Sequence, residues 1–143
     1  MSDNQITPPP VQPPPTNPAP PPASPESQAR MWNMLCHLSA LAGFVIPFGN
    51  ILGPLVVWQI KKNEFPSVEI HGKAALNFQI TVVIAALAGI VVAMVLSFFC
   101  VGYLLFPLVM LIGLAGLVFA VIAGIKANNG EDYKYPWSLE LVK

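Results

Sequence analysis

Two histidines are the side chains of this sequence best suited to proton chemistry. His37 directly follows Cys36 inside an apolar stretch, and His71 precedes Lys73 by two residues in the motif EIHGK. Imidazole titrates near neutral pH, so His37 and the group around His71 and Lys73 are candidates for carrying protons. For His37, a neutral imidazole bonded to a backbone carbonyl near a membrane surface is the cheaper and commoner arrangement. For the motif EIHGK, solvation by water and lipid headgroups is as good an explanation.

A second set of candidates consists of polar side chains within apolar sequence, namely Asn50, Asn77, Gln79 and Thr81. An unpaired amide in hydrocarbon costs several kcal/mol, so Asn77 must have a partner. We expect it to be buried against the preceding apolar region, where a helix break at residues 47–54 would free backbone carbonyls.

Catalytic and metal-binding patterns are missing from the sequence. It contains no nucleophile and base pair, no glycine-rich phosphate loop and no carboxylate pair, and Cys36 and Cys100 have neither CxxC nor Cys/His metal spacing. We therefore predict no catalytic residue, no cofactor and no metal, and a protein that is not an enzyme. The net charge of zero also gives no reason to expect nucleic acid as a partner.

The composition is that of a membrane protein. Hydrophobic residues make up 55% of the chain and charged residues 10%, against about 25% charged in ordinary soluble domains. No Asp, Glu, Lys or Arg occurs in residues 31–60 or 74–125. A spanning helix needs about 20 apolar residues, so the second stretch is long enough for two spans and a turn.

Residues 1–29 form a proline-rich segment, which contains eleven of the 16 prolines. Such a segment cannot bury apolar surface, so we predict a disordered tail with polyproline II character. A protein partner that recognises PxxP could dock on it, or it could be a spacer.

The stretch FVIPFGNILGPLVVW, residues 44–58, determines how many times the chain crosses the membrane. Its prolines and glycines allow two alternatives, a kinked single span or a reversal at PFGN. We predict a helix that stops at Ile46, a reversal, and a second arm of about ten apolar residues. The predicted fold is an all-α membrane protein of two helical hairpins, with four membrane helices of which the second is short.

The membrane domain should therefore cover residues 30–130, followed by an interfacial C-terminal tail, residues 131–143, with alternating aromatic residues. In the two-hairpin fold all seven Lys and Arg residues lie on one side, as the positive-inside rule favours. We predict a location in a bacterial cytoplasmic (inner) membrane with both termini in the cytoplasm and Asn50 near the outer surface.

Two rows of residues at i+4 spacing should bring the long helices together. One row begins with Lys73, Asn77 and Thr81 and continues with Ala85 and Gly89, and the other consists of Gly116, Ala120 and Gly124. Small residues allow membrane helices to approach closely, so we expect the two rows to pack against each other.

Four blocks of sequence carry a resemblance to a known family: WNMLCHLSAL, PFGNILGPLVVW, HGKAALNFQIT and IKANNGEDYKYP. Together they resemble an uncharacterised bacterial multi-pass membrane protein family. That family is distantly similar to the twenty-kilodalton Tic component of the chloroplast inner-envelope import translocon. The resemblance implies a four-helix bundle and supplies no activity.

Two functions remain open on the sequence alone. The first is a non-enzymatic scaffold or accessory subunit of a membrane complex, with the lipid bilayer, a protein bound through the proline-rich tail and further copies of the chain as partners. The alternative is a small pore or transport component, which includes a translocon-like role. In that case His37, Asn77, Gln79 and Thr81 would line the path of the transported substance.

Overall fold

The computed structural model describes residues 24–99 and 101–143, and all regular structure in these residues is helical. The helices are α1 (Pro25–Leu38), α2 (Gly49–Lys61), α3 (Pro66–Ser97) and α4 (Phe106–Asn128), with 3₁₀ turns at Ser39–Phe44 and Gly102–Leu105. The all-α class is thus confirmed for the described part of the chain.

The predicted proline-rich tail lies mostly outside the described residues. Its last residues are helical, because α1 begins at Pro25. The Ser24 hydroxyl caps this helix by accepting a hydrogen bond from the backbone N–H of Ser27 at 3.2 Å. Proline at the first helical position costs no hydrogen bond, so the last proline of the tail starts a helix.

Helices α1 and α2, with the 3₁₀ turn between them, form an antiparallel pair that we call the first hairpin. Lys61 lies over the Trp32 ring, 4.6 Å from its centroid. Closer to the turn, a Cβ atom added to Gly53 would come within 2.1 Å of the Ser39 carbonyl oxygen. The chain therefore reverses at PFGN, as predicted.

The geometry of the turn differs from the expected one. The helical part ends in a 3₁₀ turn at Phe44 rather than at Ile46, and the left-handed residue is Phe48, with φ of 61°, instead of Gly49 or Asn50. Gly49 is needed for another reason, since a Cβ there would lie 2.4 Å from the Ala42 carbonyl oxygen. Close contact between backbones, more than turn conformation, requires glycine at this position.

Helices α3 and α4 form the second hairpin, which is longer and more apolar. Phe78 meets Phe119 edge to face at 6.0 Å, and Gly89 approaches Val109 near the distal end. Of the described helices, only Pro66–Ser97 and Gly102–Asn128 are long and apolar enough to cross a membrane. With 14 and 13 residues, α1 and α2 are too short to span the hydrocarbon alone.

The two rows of small residues do not pack as a single interface. Gly116 does face α3, since an added Cβ would lie 3.1 Å from Val82, but Gly124 faces α1, where it approaches Leu38. In the row that begins at Lys73, the C-terminal segment covers Asn77 and Thr81, and Gly89 near the far end approaches α4, at Val109. One helix can present small residues to two neighbours at different heights, which i+4 spacing alone cannot reveal.

We expect Gly116→Leu and Gly124→Leu to destabilise the protein far more than Leu114→Ala or Leu117→Ala. The glycines contact Val82 and Leu38, so a large side chain would overpack the interface at a cost of about 1 to 3 kcal/mol. Folding yield and thermal unfolding in detergent measure the difference. Gly113→Leu is the matched control, because nothing lies within 4 Å of an added Cβ there. Equal loss in all the variants would contradict the assignment of the two interfaces.

Candidate functional site

Two histidines predicted separately come together in a polar cluster, which we call the histidine cluster. It consists of His37, His71 and Tyr135, which are buried, and Asp132, which is exposed at its edge. The His37 Nε2 and His71 Nδ1 atoms are 3.1 Å apart, and His37 Nδ1 lies 2.8 Å from the Tyr135 hydroxyl. His71 Nε2 is 3.4 Å from an Asp132 carboxylate oxygen. The cluster joins α1, α3 and the C-terminal segment, residues 131–143, which the chain separates widely.

A carboxylate can only accept a hydrogen bond, so Asp132 favours one direction of hydrogen bonding through the cluster. If the Tyr135 hydroxyl donates to His37 Nδ1, then His37 Nε2–H donates to His71 Nδ1, and His71 Nε2–H points to the carboxylate of Asp132. Each imidazole is then neutral, with one nitrogen protonated. Two doubly protonated rings would instead bring two N–H groups face to face.

Burial keeps the inner members of this cluster uncharged. His37 lies in α1, outside the two long apolar helices, and burial together with neighbouring His71 lowers its pKa to about 3. Burial raises the pKa of the Tyr135 hydroxyl above its usual range, and raises the pKa of the adjacent Cys36 thiol to about 12. Cys36 therefore stays a thiol and is no activated nucleophile at neutral pH.

We expect the folded protein to lose stability as the pH falls from 7 to 5. Below pH 6.5 the unfolded chain binds a proton at His37 that the folded chain does not bind until about pH 3. The free energy of unfolding should therefore fall by about 2 kcal/mol over this window. His71, Asp132 and Tyr135 are the titratable groups that contact His37 or its immediate partner.

Denaturant unfolding in detergent at several pH values measures this slope. His37→Gln is the matched control, since an amide can still bond its neighbours but does not titrate. The variant should show a flatter pH profile than the unchanged chain. Identical profiles would contradict a buried, neutral His37.

The C-terminal segment is the partner of Asn77, which corrects the expected contact with the first hairpin. The Asn77 side-chain oxygen accepts hydrogen bonds from the backbone N–H groups of Leu141 and Val142 at 2.9 and 2.6 Å, and its amide donates to the Val142 carbonyl at 3.0 Å. Thr81 accepts a further bond from the Leu139 N–H at 2.9 Å. The Asn77 side chain thus bonds the backbone of the C-terminal segment, as a neighbouring β-strand would.

The remaining predicted residues occupy separate places. Gln79 and Asn50 face each other at 3.5 Å beside a recess of about 180 Å³ between the two hairpins. Asn50 therefore lies against the middle of α3, and not beyond its far end as an outer-surface position would require. Lys73 pairs with Glu69 one turn earlier on α3.

Tyr135 and Asp132 were not singled out as site residues from the sequence. Alternating aromatic residues in the C-terminal segment predicted an interfacial role for Tyr133, Tyr135 and Trp137 alike, yet Tyr135 is 6% exposed and Trp137 88%. Tyr135 stacks on Phe78 with ring centroids 4.0 Å apart. In an extended segment residues 133, 135 and 137 share one face, so their alternation did not distinguish them. The left-handed conformation of Trp137, with φ of 55°, ends the extended course and separates its side chain from Tyr135.

Within residues 24–99 and 101–143 no three His, Cys, Asp or Glu side chains are arranged to hold a metal ion. The polar groups of the histidine cluster are instead bonded to one another. In this arrangement they hold together α1, α3 and the C-terminal segment.

Comparison with known proteins gives one family. A family model described as the magnetosome magnetite crystal formation protein family matches residues 28–142. No curated protein and no solved structure gives a significant match. The likeness to the chloroplast import component is not shown by these comparisons.

Proposed function

Because the chain belongs to the magnetosome magnetite crystal formation protein family, we propose that it is a membrane protein that takes part in the formation of magnetite crystals. The family match carries this proposal, since it covers residues 28–142 and thus both hairpins and nearly all of the C-terminal segment. The two long apolar helices support a place in the membrane that surrounds the crystal.

The exposure of the second hairpin supports membrane insertion. Only 6% of the most apolar stretch of α3 and 22% of that of α4 is buried inside the protein. The core helix of a water-soluble protein would instead be covered by its neighbours. Large exposed apolar surfaces of this kind mark contact with lipid or with another protein.

A scaffold or accessory subunit is the role that the polar groups support best. His37, Asn77 and Thr81 are all engaged in holding segments of the chain together. This structural use of the polar side chains supports the proposed non-enzymatic role. The alternative of a pore is not favoured, because Asn77 and Thr81 face the C-terminal segment whereas Gln79 faces the first hairpin, so these residues do not line one path.

Charge at the helix ends supports a cytoplasmic placement of both termini. Lys61 and Lys62 at the end of α2, Lys73 near the start of α3 and Lys126 at the end of α4 lie at the same end of the two hairpins. Trp32, Trp58 and Tyr133 lie beneath these ammonium groups. A belt of cations and aromatic rings is typical of the cytoplasmic interface of an inner membrane protein.

Two kinds of partner fit this role. The proline-rich tail could recruit a protein, and the exposed faces of α3 and α4 could pair with a second copy of the chain. Capture of a stoichiometric companion by the intact chain, and its loss on deletion of residues 1–23, would identify the first kind. Cross-linking in the membrane would identify the second.

Replacement in a magnetite-forming bacterium tests the proposed function. We expect a strain without its resident family member to make smaller or fewer crystals, and this chain to restore them, as counted by electron microscopy. Gly53→Ala should fail to restore them and Gly113→Ala should succeed, because only the first substitution meets a backbone oxygen. Crystals that are unchanged by the deletion, or not restored by the folded chain, would contradict the proposal.

A further inference from the structure

Helix α3 consists of a covered half and a bare half. Eight of its nine buried residues lie between Val68 and Gln79, and beyond Gln79 only Ala93 is buried. The exposed side chains of the bare half are large and apolar, including Leu87, Val91 and Val95. The first hairpin and the C-terminal segment thus cover one half of the helix and leave the other uncovered.

The first hairpin ends level with the middle of α3. Asn33 contacts Ser67 and His37 contacts His71, each at 3.1 Å, so α1 runs parallel to α3 with a constant offset of 34 residues. This offset places the reversal at residues 44–48 beside about residue 80 of α3. Gln79, which contacts Asn50 just after the reversal, confirms that height.

The C-terminal segment reaches the same height and turns back. Tyr135 stacks on Phe78, and Trp137 borders a recess with Ala85 of α3. The chain then descends, with Leu139 bonded to Thr81 and the following residues bonded to Asn77. Trp137 forms the top of this turn, with φ of 55° and a side chain that is 88% exposed.

Charge locates the edge of the hydrocarbon. Glu140 is exposed and borders a recess with Ile70 and Ala74 of α3, so its side chain is directed below the turn at Trp137, toward the charged ends of the helices. An exposed carboxylate is strongly disfavoured in hydrocarbon, which therefore begins above this level. From residue 80 to Ser97 the helix rises about 26 Å, close to the thickness of about 30 Å of a bilayer core.

We propose that only the bare halves of α3 and α4 cross the hydrocarbon, and that the first hairpin and the C-terminal segment form a collar on one leaflet. The collar touches the acyl chains with an apolar rim of Phe44, Val45, Ile46, Phe48 and Trp137, which are between 55% and 88% exposed. Its partner is the lipid interface of that leaflet. The inference rests on the proposed membrane location but not on the role in crystal formation.

The charged ends of the helices fit this arrangement. Lys73 and Lys126 lie about 10 Å below the rim at 1.5 Å per residue, at the height of lipid headgroups and the adjacent water. The histidine cluster lies at the same height, within the collar. The collar therefore keeps the buried polar groups out of hydrocarbon and places apolar side chains where lipid begins.

Spin labels at three single cysteines test the proposal in the full chain. The background carries Cys36→Ala and Cys100→Ala, the added substitutions are Val45→Cys, Val91→Cys and Glu140→Cys, and the protein is reconstituted in vesicles of phosphatidylcholine and phosphatidylglycerol. Relaxation by oxygen and by a water-soluble nickel chelate gives the depth of each label. We expect position 140 in water, position 45 a few Å inside the phosphates of the same leaflet, and position 91 about 15 Å deeper.

Three results would overturn the collar. A label at position 45 as deep as the label at position 91 would place the first hairpin in the bilayer centre. A label at position 45 in the water on the opposite side of the membrane from position 140 would show that the first hairpin crosses the bilayer. A label at position 45 that is freely exposed to the nickel chelate would detach the rim from lipid. A label at position 91 in water would refute the membrane location itself, which separates that failure from the others.

Discussion

Gly53→Ala should prevent the first hairpin from closing. A Cβ atom at this position would lie 2.1 Å from the carbonyl oxygen of Ser39 and 2.7 Å from its carbonyl carbon. Both atoms belong to the backbone, so no side-chain rotation can relieve the overlap, and the two arms must move apart. We expect a loss of at least about 3 kcal/mol, at the upper end of overpacking penalties or beyond.

Gly113→Ala is the control for this substitution. It makes the same chemical change inside a helix, but nothing lies within 4 Å of the added Cβ. Alanine favours helix over glycine by about 1 kcal/mol, so this variant should be as stable as the unchanged chain or slightly more stable. Unfolding by denaturant in detergent, followed by circular dichroism, compares the two. A Gly53→Ala variant as stable as Gly113→Ala would show that α1 and α2 do not approach as described.

The reversal was predictable because its causes are local. Two prolines and two glycines within residues 47–54 disfavour a continuous helix wherever they occur. The details of the turn were not predictable, because they depend on contacts. Glycine is needed at position 49 because a side chain there would collide with the backbone of Ala42. Phe48 therefore adopts the left-handed conformation, which local preference would assign to glycine or asparagine.

The candidate residues were easier to find than their partners. His37 and Asn77 stand out because polar groups in apolar sequence must be satisfied. Their partners, Tyr135 and Val142, lie 98 and 65 residues further along the chain. No periodicity links such distant positions, so the expected partner of Asn77 was the nearest source of free carbonyls and was wrong. The extended C-terminal segment supplies backbone groups that no hydropathy pattern reveals.

Asn77→Leu should release the C-terminal segment from α3. The asparagine side chain makes three hydrogen bonds to the backbone of Leu141 and Val142, and leucine can make none of them. Each such bond contributes about 1 kcal/mol net, and the freed backbone groups can turn to water once the segment opens. We expect local opening to become easier by about 2 kcal/mol, which raises the open population about thirtyfold.

Trypsin cleavage after Lys134 in detergent, followed by mass spectrometry, measures this opening, because the protease cuts the segment only when it leaves the helix. Thr81→Val should give a smaller increase, since it removes only the hydroxyl that accepts from Leu139. Gln79→Leu is the matched control, because Gln79 is as buried as Asn77, at 6% exposure, but faces Asn50 on the first hairpin. If Gln79→Leu sped cleavage as much as Asn77→Leu, general loosening of α3 would explain the result. An increase confined to Asn77 and Thr81 would instead establish that these two side chains hold the C-terminal segment in place.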